Sequence, residues 1–198
     1  ALDAKEDADV SLLKNEIEKK EKDIFSGEVL IIGDSYAEGY TPDGNVESWA
    51  VKLKKQLGNG KNIHIGHAGG SGFYTSNSSD LNFRKIIENV IENEKLNADN
   101  ITCIICCGGY NDASNTSVEQ YDNLTSYLNS FDNSKNYCIY IGYGKPQSSY
   151  SRINVPETLS KSCEKNSVVF GDCSQILKGD FASNYSSDNY HPNENGQK

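Results

Sequence analysis

Positive charge is scarce in this chain. Nineteen Lys and Arg stand against 28 Asp and Glu, for a formal net charge of -9 and a pI near 4.8. Nucleic acid and an anionic membrane surface are poor partners for such a surface, because both would repel it. Long apolar runs are missing too. No window approaches the roughly 20 uninterrupted apolar residues that a helix needs to span a bilayer, which excludes a membrane span of that kind. Histidine is rarer still, with three in 198 residues, so the search for an imidazole base is short. Methionine is absent and the chain opens on Ala1. Removal of an export signal or an upstream domain fits that start, and the compartment stays open.

The six cysteines do not make a disulfide scaffold at this length. Cys103, Cys106 and Cys107 lie inside the apolar run Ile101–Cys107, and alternate strand side chains point to opposite faces, so the three do not converge on one metal. They read as buried thiols packed as small hydrophobes. Cys138, Cys163 and Cys173 are isolated, and a pair among them is compatible with the sequence. Fully reduced thiols would favour folding in a cytoplasm. No metal and no cofactor is expected.

What is present centres on Glu28–Tyr40, EVLIIGDSYAEGY. Val29, Leu30, Ile31 and Ile32 form a continuous aliphatic block, which predicts a strand covered on both faces and hence a central parallel strand. It stops at Gly33 and hands over to Asp34 and Ser35. Open α/β sheets place their ligands at the carboxyl ends of such strands, so Ser35 is displayed at the edge where chemistry is expected. Two glycine-bearing blocks follow later strands, Ala68-Gly69-Gly70-Ser71-Gly72 and Gly108-Gly109-Tyr110-Asn111-Asp112. Near the end comes Asp188-Asn189-Tyr190-His191-Pro192, with an acid three residues ahead of a histidine.

Four such blocks in this order resemble the SGNH hydrolases, also called the GDSL esterase and lipase family, from Glu28 to the C-terminus. The resemblance implies Ser35 as nucleophile, Asp188 and His191 as the acid and base of a triad, and an oxyanion hole built from Ser35, Gly72 and Asn111. Tyr36 stands where the family name has leucine. The implied fold is a three-layer α/β/α sandwich around a five-stranded parallel sheet, flavodoxin-like. Family members continue past the His-Pro block into a final helix, which this sequence does not reach before Lys198. The G-x-S-x-G elbow of α/β-hydrolases is nearly matched by Gly33–Ala37 but fits poorly, because there the serine follows several strands.

The pattern along the chain agrees with that fold. Residues 1–27 are densely charged, with Val10, Leu13, Ile17 and Ile24 at spacings of an amphipathic helix. That helix is either an arm packed on the domain or a stalk for attachment or oligomerisation. Residues 28–198 are expected to form one domain, the hydrolase domain that the resemblance implies. Helices are expected over Ser48–Leu57, near Asp80–Asn93, from a Thr116–Glu119 capping box to about Phe131, and from about Pro156. Strands are expected at Asn62–Gly66, Ile101–Cys107, Tyr137–Gly142 and Val168–Gly171. Strands alternating with helices specify a parallel, doubly wound sheet.

The substrate is less legible. Tyr36, Tyr110 and Tyr190, and the loop residues Tyr74, Tyr143 and Tyr150, lie near the expected edge, where aromatic faces with polar tips suit sugar rings. These features point to a short acyl ester, acetyl foremost, on a carbohydrate or cell-surface glycan, in an extracellular, surface-attached or phage-tail-like setting. A non-catalytic carbohydrate-binding module and an O-acyltransferase are the competing readings.

Overall fold

The computed structural model describes residues 24–58, 62–112, 117–141, 154–174 and 181–198. Most of the expected N-terminal helix, Tyr143 and Tyr150 therefore lie outside the described residues. Five strands form one parallel sheet: β1 (Glu28–Gly33), β2 (Ile63–His67), β3 (Ile101–Gly108), β4 (Lys135–Tyr140) and β5 (Val169–Asp172), in the order β2-β1-β3-β4-β5. The chain runs outward from β1 to β2, then returns past β1 to build the rest. The loops after β1 and β3 thus part at the crevice where the strand order reverses, the usual ligand position in such sheets.

β1 is central because its sequence allows nothing else. Val29, Leu30, Ile31 and Ile32 are all at most 1 % exposed, and burying each stabilises by about 1.5–3 kcal/mol in transfer terms. Leu30 and Ile32 face a larger core, with Phe83, Ile86 and Ile87 of α3 (Phe83–Glu94), Tyr121, Leu124 and Leu128 of α4 (Val118–Asn129), and Val155 and Leu159 of α5 (Asn154–Lys165). Val29 and Ile31 face a smaller one with Ala50, Trp49 and Leu53 of α2 (Trp49–Gln56). The sheet therefore carries helices on both faces. Ile24 and Phe25 also pack on the smaller core, and the Thr102 hydroxyl donates to the Ile24 carbonyl at 2.7 Å, so residues 24–27 are part of the body.

Helix starts follow their caps. Ser48 Oγ accepts from the Val51 amide at 3.3 Å, and Asn82 Oδ1 from the Lys85 amide at 3.1 Å. The capping box of α4 is made by Ser117 and Gln120, the Ser117 amide donating to Gln120 Oε1 at 2.8 Å, while Thr116 of the expected box lies outside the described residues. β4 begins two residues earlier than expected, at Lys135, and Asn136 Nδ2 donates to the Leu128 carbonyl at 2.6 Å. All six cysteines are free, and five of them are buried; burial alone pushes the Cys103 thiol up to about 12. Among the described residues no group of side chains is arranged to hold a metal, and no helix is long and apolar enough to cross a membrane.

Candidate active site

Ser35 opens α1 (Ser35–Glu38), a single turn that starts where β1 ends. Asp34 caps it, its Oδ1 accepting from the Tyr36 amide at 2.9 Å. The turn closes at Gly39, whose φ of 76° is left-handed and cheap only for glycine. The Tyr40 amide folds back onto the Ser35 carbonyl at 3.0 Å. Ser35 is thus held between a rigid strand and a capped turn.

His191 arrives from the other end of the chain. The Ser35 hydroxyl donates to its Nε2 across 3.1 Å, and its Nδ1 donates to Asp188 Oδ2 at 2.6 Å. The carboxylate fixes the tautomer: with the proton on Nδ1, the Nε2 lone pair faces the serine. Asp188 Oδ1 in turn accepts from the Tyr190 and His191 amides and the Ser186 hydroxyl, each at 3.0 Å. Partial burial pushes the Asp188 carboxyl up, but the bond from the His191 ring and these three donors outweigh it and hold it at about 2. The acid is therefore ionised wherever the imidazole can act as a base.

A second pair of carboxyls lies behind the serine. Asp34 and Asp112 are at most 1 % exposed. Burial pushes Asp34 up to about 7 against the Tyr36 amide, with Asp112 adding to the rise. Asp112 is also raised by burial, although the Tyr74, Thr75 and Phe73 amides pull the other way at 3.1–3.2 Å. These bonds fold the glycine-rich loop around one carboxylate. Gly72 is glycine for that reason, since a Cβ there would sit 2.5 Å from Asp112 Oδ1.

Two expected site residues are arranged differently. The Gly72 amide, expected to face an oxyanion, donates to the Thr75 carbonyl at 2.9 Å and closes the loop instead. Tyr36, expected as a substrate contact, is 4 % exposed, and its hydroxyl donates to the Tyr190 carbonyl at 2.6 Å. It is a strut that ties α1 to the histidine loop. Asn111, the expected side-chain donor, spends one Nδ2 bond on the Ser71 carbonyl at 2.7 Å and reaches Asp34 Oδ2 at 3.5 Å. Tyr110 and Tyr190 stack with centroids 5.4 Å apart, and Tyr190 also lies 4.1 Å from the His191 ring. Tyr74 packs edge-on against Tyr121 and belongs to the core.

Two contributors were not foreseen. Gln197, 2 % exposed, donates to the Tyr36 carbonyl at 3.1 Å and accepts from the Trp49 amide at 2.9 Å, so the chain's last turn braces α1 against α2. Gly69 brings its backbone close to the nucleophile, for a Cβ there would lie 3.9 Å from that of Ser35. A glutamine with no motif around it gives no signal in sequence, whereas Gly69 already stood within a glycine block.

The sequence profile of the GDSL-like Lipase/Acylhydrolase family matches residues 31–198. The chain belongs to that family. No curated protein sequence matches this GDSL-family hydrolase, but solved structures share its fold. A carbohydrate acetylesterase family member from Sinorhizobium meliloti superposes with a TM-score of 0.61 at 13 % identity, covering 86 % of this chain and 92 % of that one. A psychrotrophic esterase from Pseudoalteromonas sp., inhibited by monoethylphosphonate, gives 0.58 at 15 % identity, covering 86 % and 90 %. A family 3 carbohydrate esterase from Clostridium thermocellum gives 0.54 at 18 % identity, covering 87 % and 90 %. The family membership makes this chain a serine hydrolase of the SGNH type, on the expected flavodoxin-like fold.

Proposed function

We propose that this hydrolase is an esterase that removes short acyl groups, acetyl foremost, from carbohydrate hydroxyls, using Ser35, His191 and Asp188. The observation that carries the reading is the unbroken pair of hydrogen bonds from Ser35 Oγ to His191 to Asp188, 3.1 and 2.6 Å long. His191 Nε2 takes the hydroxyl proton as Oγ attacks the ester carbon, and Asp188 stabilises the imidazolium. The tetrahedral intermediate collapses, its C–O bond to the sugar breaks, and the imidazolium returns the proton to the leaving oxygen. Water, deprotonated by the same imidazole, then hydrolyses the acyl-enzyme and restores Ser35. The Ser35 amide and Asn111 Nδ2 are the oxyanion donors in this reading, each such group being worth roughly 3 kcal/mol in the transition state. Gly72 adds a third only if its amide leaves the Thr75 carbonyl.

The acetyl and carbohydrate parts draw on the structural neighbours named as carbohydrate esterases and on the tyrosines around His191. An extracellular or surface-attached setting goes with that substrate. The test is turnover of 4-nitrophenyl acetate and of acetylated xylosides by the wild type and by Ser35→Ala. Ser35→Ala is expected to lose about 10⁴-fold or more in kcat. Equal turnover by the two proteins would overturn the reading, and a wild type that ignores acetylated sugars would overturn its carbohydrate part.

A further inference from the structure

An ester has two halves, and the position of the imidazole decides which half lies where. The proton that His191 Nε2 takes from Ser35 must be delivered to the leaving alcohol oxygen, so the alcohol lies on the imidazole side of Ser35. Rings lie against the imidazole. Tyr190 is tilted on it at 4.1 Å, and Tyr40 meets it edge-on at 4.8 Å with an interplanar angle of 75°. Tyr40 is 42 % exposed; among the described residues the other exposed large hydrophobic is Val169, on strand β5. Its position is nevertheless fixed, by left-handed Gly39 before it and by its own amide on the Ser35 carbonyl at 3.0 Å. A ring 42 % exposed, edge-on to the group that protonates the leaving alcohol and carried on a backbone tied to the Ser35 carbonyl, has the form of a stacking platform.

We propose that Tyr40, backed by Tyr190, is the subsite for the leaving alcohol, and that its open face stacks on the sugar ring of the acylated glycan. The assignment rests on the esterase reading above, and it makes Tyr40 a determinant of alcohol specificity.

The experiment compares wild type, Tyr40→Ala and Tyr40→Phe on acetate esters of one acyl group and rising alcohol size: methyl, cyclohexyl and pyranosyl. The loss in kcat/KM on Tyr40→Ala is expected to grow along that series, from under threefold on methyl acetate to about tenfold on the pyranoside, and to sit mainly in KM. Tyr40→Phe should keep most of the wild-type value, since stacking needs the ring and not the hydroxyl. A second series, with methanol as the alcohol and acyl chains of two to six carbons, should show no such growth. A uniform loss across both series would mean that Tyr40 only supports His191, and would overturn the proposal, as would a loss that tracks the acyl chain or no loss at all. The sugar reading fails separately, if the wild type prefers the cyclohexyl ester while the Tyr40→Ala loss still rises with alcohol size.

Discussion

Two buried histidines, one at each end of the sheet, have carboxylate partners and opposite capacities. His64, 8 % exposed near the start of β2, has Glu28 on Nε2 at 2.7 Å and Glu94 on Nδ1. His191, 4 % exposed at the carboxyl edge, has Asp188 on Nδ1 and the Ser35 hydroxyl on Nε2. A ring with a carboxylate on each nitrogen turns no lone pair toward a hydroxyl. A ring with one carboxylate and one hydroxyl keeps that lone pair and aims it. Burial and a nearby acid are common to the two, so neither identifies a base; the partner on the second nitrogen does.

The largest test of this contrast is to remove the rings one at a time. His191→Ala is expected to lower kcat by about 10⁴–10⁶-fold on any acetate ester, in line with triads elsewhere. His64→Ala should leave kcat within twofold at temperatures where both proteins are folded. Comparable losses of kcat from the two would show that the second partner does not decide the role.

Much of this was legible before any coordinates. The aliphatic block Val29–Ile32 could only be a strand covered on both faces, and the spacing of Asp188 to His191 is short enough for a local turn to join them, which it does with Asn189 at φ 59°. The acids on His64 were not legible. They come from positions 36 and 30 residues away, on β1 and at the end of α3; parallel pairing of β1 with β2 brings in the first, and packing of α3 against β2 the second. The same limit explains Gly72, because whether a loop amide faces a substrate or another carbonyl depends on where Asp112 folds that loop. Tyr36 was misplaced for a simpler reason: a residue next to the nucleophile on a helical turn points elsewhere, here beneath Tyr190.

The contrast extends to the acids behind each ring. The amino end sets an imidazole between its two carboxylates, whereas the site end buries Asp34 beside Asp112 and pushes it up to about 7. Between about pH 4, where the unfolded carboxyl ionises, and pH 7, the folded state binds a proton that the unfolded state has lost. Stability from this group is therefore full below pH 4 and is lost as pH rises to 7. In Asp34→Asn that loss disappears while an oxygen still caps Tyr36. Its stability relative to wild type should rise by up to about 4 kcal/mol from pH 4 to pH 8, read from urea unfolding at each pH. A flat difference would mean that the site end carries no such cost. Asp188 works in the opposite sense: held at about 2, it adds stability above pH 4 that is lost as pH falls to 2.

The smallest effect is expected where the polar cluster is complete. Removing one partner from a fully buried ion pair costs about 3–5 kcal/mol, but Glu28 and Glu94 are 28 % and 47 % exposed, so water can reach both once the ring is gone. For His64→Ala that leaves about 1–2 kcal/mol, a fall of roughly 2–8 °C in Tm for a chain of this size. Adding Glu94→Gln should recover part of the loss, because the two carboxylates then no longer face each other across the space the ring leaves. If the double variant is less stable than His64→Ala alone, the ring is held by packing and not by its two acids, and the distinction between the two ends of the sheet would have to rest on His191 alone.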